Sequence, residues 1–255
     1  MQPSHSVLIT NSFQRRTMKN AENDHVVHIY PQNLSFAKLP DNPKVIENFA
    51  WRFLTAERRE NFLGSRGTRH IKIHGRMPAE RGDAPTARVY WYRHRSPTIL
   101  ICGHMSRDSR CGILGPILKA EFRRQMWMTV KTSRSYPFPL PEFTKEVPLH
   151  PLHHTSTSLS SHVGGHAFAG NVIIYFPVDF KLANGGGLSP LAGKAVWYGR
   201  VEPRHVDGIV NETMMSGKVI DELLRGINEF PGFTPLERTD RLDIEAGKGD
   251  YVVRL

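Results

Sequence analysis

Apolar and polar residues alternate strand-wise in two short stretches near the start of the chain, "SVLIT" and "HVVHIY". They recur at helical spacing in "KVIENFAWRFLTAERRENFL", and alternation returns in "RHIKIH". Further on, "TARVYWYRHRSPTILICGH" reads as strand, its run from Thr98 to Ile101 ending at Cys102. Immediately after Cys111, "GILGPILKAEFRRQM" sets Leu114, Ile117, Leu118 and Phe122 at helical spacing, with Pro116 placed in a first turn. The pattern therefore puts Cys102 at the end of a strand and Cys111 at the start of a helix.

The second half continues with the strand "NVIIYFPV", a glycine turn "NGGG" and the strand "AVWYGRV". The helix "PRHVDGIVNETMM" follows, with Pro203 at its start and Gly217 beyond its end. Between residues 147 and 178 there is no Lys, Arg, Asp or Glu, but there are five histidines: His150, His153, His154, His162 and His166. Most of that stretch reads as a long loop. The order strand, helix, loop, hairpin, helix makes the class α/β and is compatible with a thioredoxin-like fold. The predicted division is a smaller, basic, partly irregular N-terminal α/β segment over 1–95, a main domain over 96–230 and a tail over 231–255.

Charge adds a bias. The 255 residues carry a formal +10, and residues 51–95 alone hold eleven Lys/Arg against four Asp/Glu. Such a surplus suits an acidic redox partner or an anionic membrane surface better than nucleic acid. No stretch reaches the roughly 18 apolar residues of a membrane span, so no transmembrane segment is expected. Two cysteines do not make a secreted disulfide framework, which predicts a reducing compartment. The first twenty-one residues lack Asp and Glu but include Arg15, Arg16 and Lys19. That composition points to the mitochondrion, with the cytoplasm as the alternative.

Cys102 and Cys111 are separated by eight residues. A thioredoxin dithiol needs two, so that sulfur meets sulfur across one turn, and the dithiol reading is weak. A strand end followed by a helix start still favours thiolate, and two thiolates there invite a metal. The further donors are sought in "SSHVGGHAFAGN", where His162 and His166 flank three residues, two of them glycine. Glycine lets backbone approach a bulky inorganic core closely. His70 and His74 repeat the spacing, but on a strand they stand about 13 Å apart, too far for one ion. His104, His150, His153 and His154 are outsiders. The same four residues, Cys102, Cys111, His162 and His166, could also close a tetrahedral zinc site.

The segments "ICGHMSRDSRCGILGPIL", "SHVGGHAFAGNVIIYFP" and "VWYGRVEPRHVDGIVNETMMSGKVIDELLRG" resemble the fungal thioredoxin-like ferredoxins. That group is often labelled sucrase/ferredoxin-like and includes the altered-inheritance-of-mitochondria proteins. The resemblance covers about residues 96–230, with weaker similarity over "VLITNSF" and "HIYPQNLSF"; family members usually have more sequence before the "TNSF" position.

The resemblance implies a [2Fe–2S] cluster held by Cys102, Cys111, His162 and His166, and a redox or electron-transfer protein rather than an independent catalyst. The sucrase half of the label finds no acid pair singled out in the sequence. Two neutral imidazoles and two thiolates leave the oxidised cluster uncharged, against minus two with four thiolates. The expected potential therefore lies above that of plant-type ferredoxins, and a ligand imidazole that keeps one proton would couple that proton to the electron. Arg107 and Arg110 would push the potential the same way if they faced the cluster; otherwise they are solvated, with Asp108 as partner.

Overall fold

The computed structural model describes residues 12–13, 24–30, 33–54, 69–74, 86–133, 150–163, 165–183, 187–229 and 252–253; for 12–13, 24, 51–54, 69–74, 86–92, 166, 229 and 252–253 this is the backbone alone. The chain forms two compact units, residues 1–9 with 15–94 and residues 10–14 with 95–255. The expected strand "SVLIT" lies outside the described residues.

A short strand, β1 (Ser12–Phe13), belongs to the second unit. The first unit contains β2 (Asp24–Ile29), β3 (Leu34–Pro40), α1 (Pro43–Leu54), β4 (Arg69–His74) and β5 (Thr86–Arg93). Its four strands form an antiparallel sheet in the order β2-β3-β5-β4. The Asn42 side chain accepts from the N–H groups of Lys44 (3.1 Å) and Val45 (3.3 Å), which caps α1. Val45, Ile46 and Phe49 recur at helical spacing and meet Ile29, Leu34, Phe36 and Leu39 of the sheet. Phe36 and Phe49 pack edge to face at 5.0 Å.

The second unit is built on β6 (Thr98–Cys102), α2 (Ser109–Thr132), β7 (Ser156–Ser160), β8 (Val172–Tyr175) and β9 (Lys194–Tyr198). It is completed by β10 (Val219–Ile220), β11 (Leu224–Glu229) and β12 (Val252–Val253). The main sheet runs β1-β7-β6-β8-β9-β11. β6 and β7 are parallel and joined across α2; the other neighbours in that sheet are antiparallel. All five residues of β6 are buried, as an interior strand with an unbroken apolar run requires. A helical segment passes from Pro203–His205 through Val206–Gly208 to a π-helical stretch, Ile209–Met215. It buries Val206, Ile209, Val210 and Met214 in one core with Ile99, Ile101, Leu118 and Phe122. No helix of the described residues is long and apolar enough to cross a membrane.

Three local expectations change. The single strand read over 86–102 is two, β5 and β6, in different units, because Pro97 cannot donate to a ladder and interrupts the run. β7 occupies part of the stretch expected as loop. Pro116 is the eighth residue of α2, well past its first turn.

Candidate metal centre

The site begins where β6 ends. The N–H of Cys102 donates to the Asn171 carbonyl (3.0 Å), and that of Gly103 donates to the Ser160 carbonyl (3.0 Å). Cys102 is the register partner of Ser160, so the carboxyl ends of two parallel strands coincide, and His162 lies two residues beyond. That is the end of an open α/β sheet at which ligands collect. The crossover helix α2 then brings Cys111 back in its first turn. Asp108 fixes that turn: Oδ1 accepts from the Arg110 N–H (3.0 Å), and its two oxygens take the Arg110 guanidinium at 3.0 and 2.8 Å. Arg110 is thereby the partner of Asp108, and Arg107 is exposed.

Cys102 Sγ, Cys111 Sγ and a ring nitrogen of His162 all lie within 4.8 Å of one another. Cys102 Sγ is 3.8 Å from His162 Nδ1. Both cysteines are free thiols and are buried, 1% and 0% exposed, so water has little access to either sulfur. Burial, reinforced by the hydrogen bond with Cys102, pushes the Cys111 thiol up to about 11, against a backbone hydrogen bond from Gly170 that works the other way. A bound cation reverses this, since a coordinating thiol is deprotonated outright.

His166 opens a short 3-10 turn, His166–Phe168; its side chain lies outside the described residues. Those of His70 and His74, on β4, do too. Among the described residues no other histidine joins the three donors. His150 is buried, accepts from the Leu152 N–H at 3.2 Å and has its pKa lowered to about 4 by burial and by His153. His153 and His154 pack edge to face at 4.6 Å. The His104 ring stands 6.5 Å from that of His162, and its Nδ1 is buried without a hydrogen-bond partner among the described residues.

The sequence reading missed the support behind the histidine loop. Arg225 of β11 donates to the Asn171 side chain and places its guanidinium 4.2 Å from the centre of the Phe168 ring. Burial lowers its pKa. Because Asn171 also accepts from Cys102, this cation is held close to the thiol end of the sheet. Residues 54 apart in sequence give no spacing signal.

Several known proteins are similar to this chain. The "Altered inheritance of mitochondria protein 32" of Meyerozyma guilliermondii is 29% identical over 89% of the chain and 66% of its own length. The protein of that name in Clavispora lusitaniae is 31% identical over the same shares, and that in Debaryomyces hansenii 39% identical over 50% of the chain and 34% of its own length. The chain thus spans no more than 66% of these relatives. Among solved structures, the thioredoxin-like [2Fe–2S] ferredoxin from Aquifex aeolicus superposes on 55% of this chain and all of its own, at 15% identity and TM-score 0.30. A cysteine-to-serine variant of it covers 51% and 98%, at 16% identity and TM-score 0.31. A model of the sucrase/ferredoxin-like proteins matches residues 2–226, and the chain belongs to that family.

Proposed function

We propose that this chain binds a [2Fe–2S] cluster and transfers electrons, with Cys102, Cys111, His162 and His166 as ligands. The observation that carries the reading is the convergence within 4.8 Å of two buried thiols and an imidazole from three separate stretches of chain. Thiolate with imidazole is an established donor set for such a cluster. The buried Nδ1 of His104, without a partner among the described residues, fits as well, because it could donate a hydrogen bond to a bound acceptor. When bound, the cluster supplies one-electron chemistry.

The residues contribute shielding and proton placement. Cys102 and Cys111 exclude water from the sulfur side. His162 turns Nδ1 towards the thiols, which leaves Nε2 to hold the remaining ring proton, and the half-buried ring lets that proton exchange with solvent. The relatives' names favour a mitochondrial setting.

One distance admits a second reading, because it reflects tetrahedral coordination and is shared by a zinc ion and by a single iron of a cluster. Two ligands on a tetrahedral zinc, one sulfur and one nitrogen, stand about 3.6 Å apart given the usual bond lengths. The 3.8 Å between Cys102 Sγ and His162 Nδ1 is close to that. Metal analysis separates the two. Protein purified without oxygen should contain iron and acid-labile sulfide at about two each per chain; stoichiometric zinc without sulfide would hand the site to the structural-zinc reading.

A further inference from the structure

Six large apolar side chains among the described residues are prominently exposed: Met105, Ile113, Ile117, Trp127, Met128 and Leu188. Four of these lie on α2, and Met105 lies against its first turn, within reach of where a side chain on Gly112 would stand. The helix buries Cys111, Gly115, Leu118, Phe122 and Met126 on one side. At 100° per residue, Ile113, Ile117, Arg124, Trp127 and Lys131 fall on the opposite side, facing out.

Charge along this segment is mainly basic, with Asp207 of the neighbouring helical segment within electrostatic reach of Arg124. Residues 105–132 carry six basic groups and two acidic ones. Both acids are engaged within the helix: Asp108 with Arg110 at 2.8 Å, and Glu121 with Arg124 at 2.6 Å. Lys131 lies 4.8 Å from the Trp127 ring. Apolar anchors set among basic residues are the anatomy of a protein interface whose partner is acidic. At 1.5 Å per residue α2 is about 36 Å long, enough to span one side of a standard interface.

We propose that the outward face of α2 docks an acidic protein that carries single electrons. Position decides between this occupant and an anionic membrane. Met105 and Ile113 belong to the turn of α2 that carries Cys111 on its inner side, so a partner centred there stands about one helix diameter, roughly 10 Å, from the buried donors, a proximity from which a lipid surface would gain nothing. In the exchange the partner is oxidised by one electron, the site is reduced by one, and no atom is transferred. That the partner carries electrons rests on the cluster reading above; that it docks here does not.

The probe is an acidic flavodoxin with oxidised flavin, titrated into the full chain by calorimetry at about 20 mM salt and again at about 150 mM. Saturable binding is expected, weaker at the higher salt. Ile113→Ser combined with Ile117→Ser should weaken it about tenfold or more, which is 1.4 kcal/mol. Arg107→Glu should act the same way, and Leu188→Ser, an exposed apolar site outside α2, should not. These positions are exposed, so circular dichroism should show the fold intact. Absence of binding at low salt, or binding indifferent to the α2 substitutions, overturns the proposal. So does loss of binding to phosphatidylserine vesicles in the same variants while flavodoxin is ignored. Iron and sulfide are assayed in each sample: binding without them preserves the docking face and removes the cluster, and the converse removes the face alone.

Discussion

A β-carbon on Gly115 would stand 2.7 Å from the backbone carbonyl oxygen of Cys102 and 3.1 Å from the α-carbon of Gly103. Both obstacles are main chain at the end of an interior strand, so they cannot swing aside. Gly115→Ala should therefore push α2 off β6, costing about 1–3 kcal/mol. Urea denaturation measures the cost, and on the cluster reading the variant should also lose iron faster to a chelator than the parent does.

Ligand identity is tested by exchange rather than deletion. Cys111→Ser should abolish the visible absorption, whereas His162→Cys should keep it, shift it towards that of all-cysteine ferredoxins and lower the potential. His153→Ala should do neither. A spectrum indifferent to His162→Cys would remove that residue from the site.

The reduction potential should depend on pH. Electron density added on reduction makes a ligand imidazole hold its second proton more firmly, so above the oxidised-state pKa the proton follows the electron. In that range the potential falls as pH rises, by up to about 59 mV per unit. Voltammetry from about pH 6 to about pH 10 checks this; a flat line would make the protein a simple electron carrier.

Much of the site could be read from sequence because its determinants are local. An unbroken apolar run ending at Cys102 makes an interior strand, and Asp108 caps the helix that carries Cys111. The rest is set by pairing. β7, "STSLS", is polar by composition, yet Ser158 and Ser160 are buried because β1 and β6 lie on either side. Hydroxyl residues in a charge-free stretch gave no period to distinguish strand from loop. Taking Cys111 alone as the start of the helix puts Pro116 in a first turn, whereas capping by Asp108 starts the helix two residues earlier.

The first unit should be acid-sensitive. The Ser35 hydroxyl lies between His28 Nδ1, at 2.5 Å, and His94 Nε2. Burial lowers both imidazole pKa values, that of His28 to about 4, with His94 adding to the effect. Between about pH 6.5 and about pH 4 the unfolded chain binds more protons at these sites, so stability falls as pH falls through that window and is unaffected above it. For His28 the loss is on the order of 3 kcal/mol. Comparing urea midpoints across that range, His28→Gln should show a shallower decline than the parent.

Tyr198 ties β9 to the helical segment. Its hydroxyl meets Thr213 Oγ1 at 2.6 Å and accepts the Ile220 N–H at 3.2 Å, all buried. Tyr198→Phe leaves that N–H unsatisfied and should cost about 1–3 kcal/mol. A thermal melt reads the change directly.

The parallel pairing of β6 with β7 also sets a schedule. His162 leaves the ribosome 51 residues after Cys111, which at about 5–20 residues per second is a delay of roughly 3–10 seconds. Throughout that interval β7 does not exist, so the strand end carrying Cys102 is still open. Two neighbouring thiols stand unprotected at that stage, able to close on each other or be oxidised. On the cluster reading, the sulfurs must therefore survive that interval reduced, before His162 is there to complete the donor set.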